Sequence, residues 1–369
     1  MRVAIVHEKI TVWSGAERVL EALHGMFPAA PIHVSVVDRS LVPPALAHAD
    51  IRPTGLQRLY RGGDKYAHLL PLLPAAFRRI DLSDADVVIT SHHAFANRVR
   101  PPAGVPVVSY TYTPGRWIWD RAMRAGEVGG RLGGTALTRF AATQRRPDRA
   151  AAQRLQGIMA ISTAVADRVA RWWGRTAQVV APPVDTEFFT TDPATKREDF
   201  FLLAGRLVPY KRPTVAMVAA RQAGVRLVVV GGGRMLPEVE AMAGDGIEVL
   251  GEVSAVELRD LMRRCRALVF PGEEDFGILP VEAQACGAPV LSPALGGAVD
   301  TVVDGVSGVL YPPRPGGWRD ALTEALLAFD PTRFDDETVR RTTERFTPER
   351  FRTAFLSEAA EILGFAFPE

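Results

Sequence analysis

Short apolar runs rich in valine and isoleucine recur along the 369 residues, and stretches of helical periodicity fall between them. In the first half the runs are Val3–Val6, Ile32–Val37, Val87–Thr90, Val105–Tyr110 and Gly157–Ile161. In the second half they are Phe200–Ala204, Val225–Val230, Ile247–Leu250, Ala267–Phe270 and Pro289–Ser292. Several are apolar throughout instead of alternating, as strands of a parallel sheet covered on both faces must be. Ala16–Met26, Val256–Arg264 and Leu279–Ala285 read as intervening helices. The pattern predicts an α/β chain with two parallel sheets in succession. The paired prolines in Val180-Ala-Pro-Pro-Val-Asp-Thr-Glu-Phe-Phe189 stop regular structure, and a new series starts at Phe200.

Composition changes this picture little. With 47% apolar and 23% charged residues the chain is ordinary and globular, and long enough for two cores. No apolar run approaches the ~18–20 residues that cross a bilayer, and the N-terminus lacks a signal-peptide pattern, so residence is expected to be cytoplasmic. Two cysteines, Cys265 and Cys286, leave no disulfide framework and no Cys-rich metal site. Charge is more informative. Residues 1–180 carry a net +11 and the remainder −9. A basic half suits an anionic substrate or surface, including peripheral attachment at the inner membrane face. Because 40 of the 44 basic residues are arginine, a solvated Arg-rich surface reads equally well. No nucleic-acid module or basic–aromatic alternation is present, so no nucleic-acid partner is expected.

The most specific chemistry lies in Glu274-Asp-Phe-Gly-Ile-Leu-Pro-Val-Glu282, directly after an apolar run. A helix beginning near Phe276 would offer the N–H groups of Gly277 and Ile278 to a phosphate. Glu282 would lie about a turn and a half further on, facing the same cleft. One acid can then accept hydrogen bonds from a sugar and the other from a ribose; solvated helix-face acids are the plainer alternative. In Gly205-Arg-Leu-Val-Pro-Tyr-Lys-Arg-Pro213, Arg206 and Lys211 would sit at the C-terminal edge of the second sheet, where α/β folds bind ligands. Two fixed cations could stabilise a departing diphosphate without a metal. Val228-Val-Val-Gly-Gly-Gly-Arg234 is either a close backbone approach to a ligand or an ordinary tight turn. It is neither the dinucleotide fingerprint nor a Walker loop.

In the first half, Ser14-Gly-Ala-Glu-Arg-Val-Leu20 could bring backbone N–H groups, that of Gly15 among them, to a phosphate or reacting carbon. All seven histidines fall at or before position 93, ending in Ser91-His92-His93 after a strand. There an imidazole can donate to a sugar or be satisfied by backbone. Asp84-Ala-Asp86 precedes a strand and reads as surface acids, not a metal motif. The aromatics of Tyr110-Thr-Tyr-Thr-Pro-Gly-Arg-Trp-Ile-Trp-Asp120 either pack a loop or line a groove.

Taken in order, these segments resemble the retaining glycosyltransferases of family 4, and among them the bacterial GDP-mannose-dependent O-antigen and polysaccharide mannosyltransferases. The resemblance implies the GT-B fold, two Rossmann-like domains with parallel sheets facing a central cleft. Residues 1–180 would bind the acceptor, residues 181–347 the nucleotide sugar, and a helix in 348–369 would cross back to the first domain. It implies Arg206 and Lys211 on the diphosphate, Glu282 on the ribose, and Glu274 and His93 as the catalytic pair holding the sugar. Phe276, Gly277, Ile278, Gly15 and the backbone of Val253 would complete the donor site. The implied reaction is retaining, metal-independent transfer of a hexosyl group, mannose from GDP-mannose, to a hydroxyl of a glycan, lipid-linked or small-molecule acceptor, with no cofactor. Four positions depart from the family: Ser14 for a glycine, Tyr112 for a histidine, Gly115 for a methionine and Asn97 for a lysine. Competing expectations are an epimerase or phosphorylase on the same scaffold, and a non-catalytic nucleotide-sugar-binding partner.

Overall fold

The computed structural model describes residues 1–121, 124, 131–314 and 316–367, so the last two positions of the expected 348–369 segment lie outside the described residues. The chain forms two compact units, Met1–Pro183 with Phe351–Glu369, and Val184–Arg350.

Unit 1 holds a seven-stranded sheet in the order β3-β2-β1-β4-β5-β6-β7. These strands are β1 (Val3–His7), β2 (Ile32–Val34), β3 (Ile51–Pro53), β4 (Val87–His92), β5 (Val107–Thr111), β6 (Gly157–Ala160) and β7 (Gln178–Val179). Every pairing is parallel. Helices α1 (Gly15–Met26), α2 (Leu73–Arg78), α3 (Arg116–Trp119), α4 (Arg131–Ala152) and α5 (Thr163–Arg168) connect the strands. β1, β4 and β5 are buried along their whole length, which accounts for the apolar runs that open them; Thr90, Ser91, His92, Ser109 and Thr111 are buried polar residues within β4 and β5.

Unit 2 repeats the scheme with six parallel strands in the order β10-β9-β8-β11-β12-β13. They are β8 (Phe201–Ala204), β9 (Leu227–Val230), β10 (Ile247–Gly251), β11 (Ala267–Val269), β12 (Val290–Pro293) and β13 (Gly308–Tyr311). The connecting helices are α6 (Pro213–Ala223), α7 (Leu236–Ala241), α8 (Ala255–Arg264), α9 (Ile278–Ala285) and α10 (Ala298–Thr301). α11 (Trp318–Ala328) and α12 (Asp336–Arg341) follow β13.

The last helix, α13 (Pro348–Leu363), belongs to unit 1 from Phe351 onward. There Phe351 and Phe355 meet Tyr110 edge-on and tilted, at ring-centroid distances of 5.5 and 6.1 Å. Ile362 covers Gly157 so closely that any Cβ at that position would collide with it.

Both sheets therefore share one topology, in which the order of connection reverses next to the first strand. Ligands of open α/β sheets bind outside the carboxyl ends of the strands at that reversal. In unit 1 it lies between β1 and β4, and in unit 2 between β8 and β11. The segments leaving these four strands are His7–Glu8, His92–His93, Gly205–Arg212 and Phe270–Gly277.

Candidate active site

In unit 2 the loop after β8 and the loop after β11 meet. Lys211 Nζ lies 2.6 Å from Glu274 Oε1, both side chains about one-fifth exposed. A Cβ on Gly205 would stand 3.4 Å from that ammonium and 3.6 Å from Leu279, so Lys211 also lies beside the start of α9. Gly272 has no room for a side chain, since a Cβ would fall 2.8 Å from the Lys211 Cα. Arg212 holds the loop from the other side. Its guanidinium lies 3.5 Å over the Trp318 ring and donates to the Pro271 carbonyl at 3.1 Å. Its backbone is left-handed at φ 54°, a conformation that costs a non-glycine residue of order 1–3 kcal/mol and is tolerated only where contacts over-determine it. Arg206 is exposed, and its guanidinium donates to the Tyr210 hydroxyl at 3.3 Å.

The helix expected from Phe276 begins instead at Ile278, with Gly277 as its cap at φ 91°. Phe276 is pulled out of the helix by burial, its ring edge-on to Phe346 at 5.4 Å. The N–H groups of Gly277 and Ile278 make no hydrogen bond within the described residues and stay available to an anion. Pro280 removes the donor of the third helical position. Glu282, in the second turn of α9, is 5% exposed.

The glycine-rich turn after β9 has a structural explanation. Gly231, at φ 130°, packs so tightly on the Gly205 carbonyl that a Cβ would overlap it, and its N–H donates to Gly251 at 2.7 Å. Leu207 N–H donates to Gly232 at 2.7 Å. The turn thus fixes the Gly205–Arg212 loop through backbone contacts. Val253, two residues past Gly251, is half-buried against the core.

Unit 1 presents a different kind of edge. Glu8 is wholly buried, and its Oε1 accepts from the backbone N–H groups of His93, Ala94, Phe95 and Ala96 at 3.3, 2.8, 2.6 and 2.8 Å. Burial opposes its charge, but His93, His92 and those amides outweigh burial and hold the carboxyl below its ordinary value. Glu8 therefore fixes the segment that carries His93. His93 itself is half-buried, its ring 6.3 Å from that of Tyr112, and burial keeps it neutral despite Glu8. The buried His92 is pushed down to about 3, first by burial. His7 Nδ1 lies 2.8 Å from the Ser91 hydroxyl and His7 Nε2 lies 3.7 Å from Glu17.

The family departures find physical roles here. Ser14 caps α1, its N–H and hydroxyl both donating to Glu17, which sets Gly15 as the first helical residue. Tyr112 OH donates to the Ala16 carbonyl at 3.1 Å and lies 2.8 Å from the Ser91 hydroxyl, tying β5 to the first turn of α1. Asn97 is buried and accepts from Thr90 and Ser109. Gly115 caps α3. The aromatics that follow pack: Trp117 stacks on Phe140 at 5.8 Å and Trp119 on Trp172 at 6.1 Å. Asp148 accepts from the indoles of Trp119 and Trp173. Asp86 pairs with Arg2 and Asp84 is solvent-exposed, as surface acids.

His7 and Glu8 stand at the candidate site although no motif singled them out, while Glu17 and Arg212 lay within quoted motifs without an assigned role. An acid and an imidazole directly after an all-apolar first strand were the available signal for Glu8 and His7. Among the described residues no three His, Cys, Asp or Glu side chains gather as a metal-ligand set, and no helix is long and apolar enough to cross a membrane.

Residues 13–188 match the Glycosyltransferase Family 4 model, and residues 185–329 match the model of Glycosyl transferases group 1. The two halves are glycosyltransferase domains. The D-inositol 3-phosphate glycosyltransferase of Mycobacteroides abscessus is 35% identical over a match that covers 40% of this chain and 39% of that one. For its namesake from Frankia alni the figures are 35%, 40% and 44%. The chain thus spans about two fifths of the length of these curated relatives. The crystal structure of Anabaena HepE in complex with UDP matches with a TM-score of 0.71 at 17% identity, covering 98% of this chain and all of that one. Sucrose-phosphate synthase from Thermosynechococcus elongatus gives 0.71 at 16%, over 99% and 100%. At such identities the likeness shows the fold, so the two glycosyltransferase domains are Rossmann-like units of the GT-B class.

Proposed function

We propose that the chain is a retaining, metal-independent glycosyltransferase that moves a hexosyl group from a nucleoside-diphosphate sugar to an acceptor hydroxyl. The observation that carries this reading is the Lys211–Glu274 pair at the β8/β11 reversal, beside the open N–H groups that start α9. With donor bound, Lys211 exchanges Glu274 for the diphosphate, and Arg206 joins it. Glu274 is then released to the sugar hydroxyls, and Glu282 serves the ribose. As the bond from the anomeric carbon to phosphate breaks, the leaving diphosphate gains charge that the two cations and the helix terminus stabilise. The acceptor hydroxyl attacks from the same face, and its proton passes to the departing phosphate oxygen. Neutral His93 donates a hydrogen bond to the sugar, held in place by Glu8.

Motif resemblance supports GDP-mannose as donor, and HepE, with UDP bound, supports the wider class of nucleoside-diphosphate sugars. The basic first half and the inositol 3-phosphate named in the relatives support an acceptor that carries negative charge. Peripheral attachment to an anionic membrane rests on the same charge.

The test is turnover of GDP-mannose and UDP-glucose with inositol phosphate, glycolipid and free-sugar acceptors, in EDTA and then in magnesium. Transfer with retained anomeric configuration in EDTA supports the proposal. Sugar phosphate released in phosphate buffer without acceptor would make the chain a phosphorylase, and donor binding without turnover a non-catalytic partner.

A further inference from the structure

A cavity of about 850 Å³ opens on unit 1 at the edge opposite His93, lined where β1, β2 and β4 begin. Its origin is a gap in the cover of the sheet. β2 and β3 have three residues each, and the six-residue α2 places Leu73 and Phe77 in the core with β1 and β4 residues. Beside β3 lies the tight turn Gly55–Arg58, whose Leu56 is half-buried and lines the cavity. The volume falls within the range of small-molecule sites, about 300–1,000 Å³.

Two polar side chains there make no hydrogen bond to the described residues. His33 occupies the middle of β2, in register with Val6 on one side and Arg52 on the other. It is 7% exposed and lines the cavity, yet its ring makes no hydrogen bond within the described residues. Burial, then Arg52, pushes its pKa down against Asp50 and Asp81, leaving a neutral ring that carries one donor and one acceptor. Of the lining cations, Arg2 is engaged by Asp86 and Arg52 by Asp50. Arg79, the exposed residue that caps the end of α2, makes no ion pair or hydrogen bond with its guanidinium within the described residues. Phe27, Leu56, Ala76 and Leu82 supply apolar wall.

We propose that this cavity is a second ligand site, separate from the transferase edge, for a small amphipathic anion. Its apolar body lies along Leu56, Ala76 and Leu82, with its acidic head on Arg79 and a hydrogen bond from His33. β1 and α1 each run from this cavity to the opposite edge, so occupancy also stiffens the elements that carry Glu8 and Ser14.

The test is calorimetry and thermal unfolding of the full chain with decanoate, and with decanol as the uncharged control. Saturable decanoate binding, a raised Tm and loss of about tenfold or more in affinity in Arg79→Gln are expected, with unchanged binding in saturating GDP or UDP. Arg79 is exposed, so this variant keeps the fold; Ala76→Trp should abolish binding by filling the cavity. The proposal is overturned by absence of saturable binding, by decanol binding as tightly as decanoate, or by equal affinity in Arg79→Gln and wild type.

Discussion

The two sheets reverse at the same point of the same topology, yet they furnish that point in opposite ways. In unit 1 the polar groups are buried before any ligand arrives: Glu8 sits on four amides, and His7, His92 and Glu17 lie behind it. In unit 2 the polar side chains are partly exposed and paired with each other, while glycine backbones fix the loops beneath them. Charge buried among hydrogen bonds raises the cost of disturbing the fold; charge left at an edge is free to exchange partners with a ligand. Unit 1 is thus built to hold a shape, and under the proposed function unit 2 takes up an anion.

The comparison breaks most sharply at Glu8. Glu8→Leu leaves the N–H groups of Ala94, Phe95 and Ala96 without their acceptor and should cost about 3–5 kcal/mol in urea unfolding. Five of the six tryptophans lie in unit 1, so fluorescence reports that unit, while nucleotide binding by unit 2 should persist. Glu8→Gln, which keeps one carbonyl oxygen, should lose less. At Lys211 the expectation reverses: Lys211→Ala should lower transfer by about 10²–10³-fold with the urea midpoint unchanged.

Acid sharpens the contrast. His92, with a folded pKa of about 3 against an ordinary 6.5, takes up its proton more readily when unfolded. Its stabilisation is complete above pH 6.5 and is lost as pH falls toward 3, at about 1.4 kcal/mol per pH unit. His24, His33 and His93 are also lowered by burial and act with the same sign. Glu8, lowered from 4.5, adds a further loss in stronger acid. Unit 2 contains no histidine. Tryptophan fluorescence should therefore show urea resistance falling between pH 7 and 5, with nucleotide affinity far less affected. The smallest effect is Tyr112→Phe, which removes the hydroxyl bonds to Ala16 and Ser91 and should cost about 1–2 kcal/mol in the same assay.

The apolar runs made the interior strands legible, because burial on both faces favours near-continuous hydrophobicity. β3, β7 and β13 passed unseen for the opposite reason. Each is an edge strand of two to four residues, and β7 is exposed throughout. The predicted Ile32–Val37 shortened to Ile32–Val34, with Val37 making only an isolated bridge to Ile10. The motifs pointed to Lys211 and Glu274, and these two side chains meet. The motifs did not show that α9 starts two residues late, since that follows from Phe276 finding a tertiary pocket and Gly277 turning left-handed. Nor did spacing reveal Glu8, whose partners lie about 85 residues away.

The central claim is that the unit 2 edge is a diphosphate site whose Lys211 leaves Glu274 for the ligand. Calorimetric titration of GDP, UDP and dTDP into wild type and Lys211→Ala, in EDTA, tests it most directly. The account predicts saturable binding of at least one nucleotide to wild type, weakened about tenfold or more in the variant. Equal affinity in both proteins, or no binding to wild type, would contradict it.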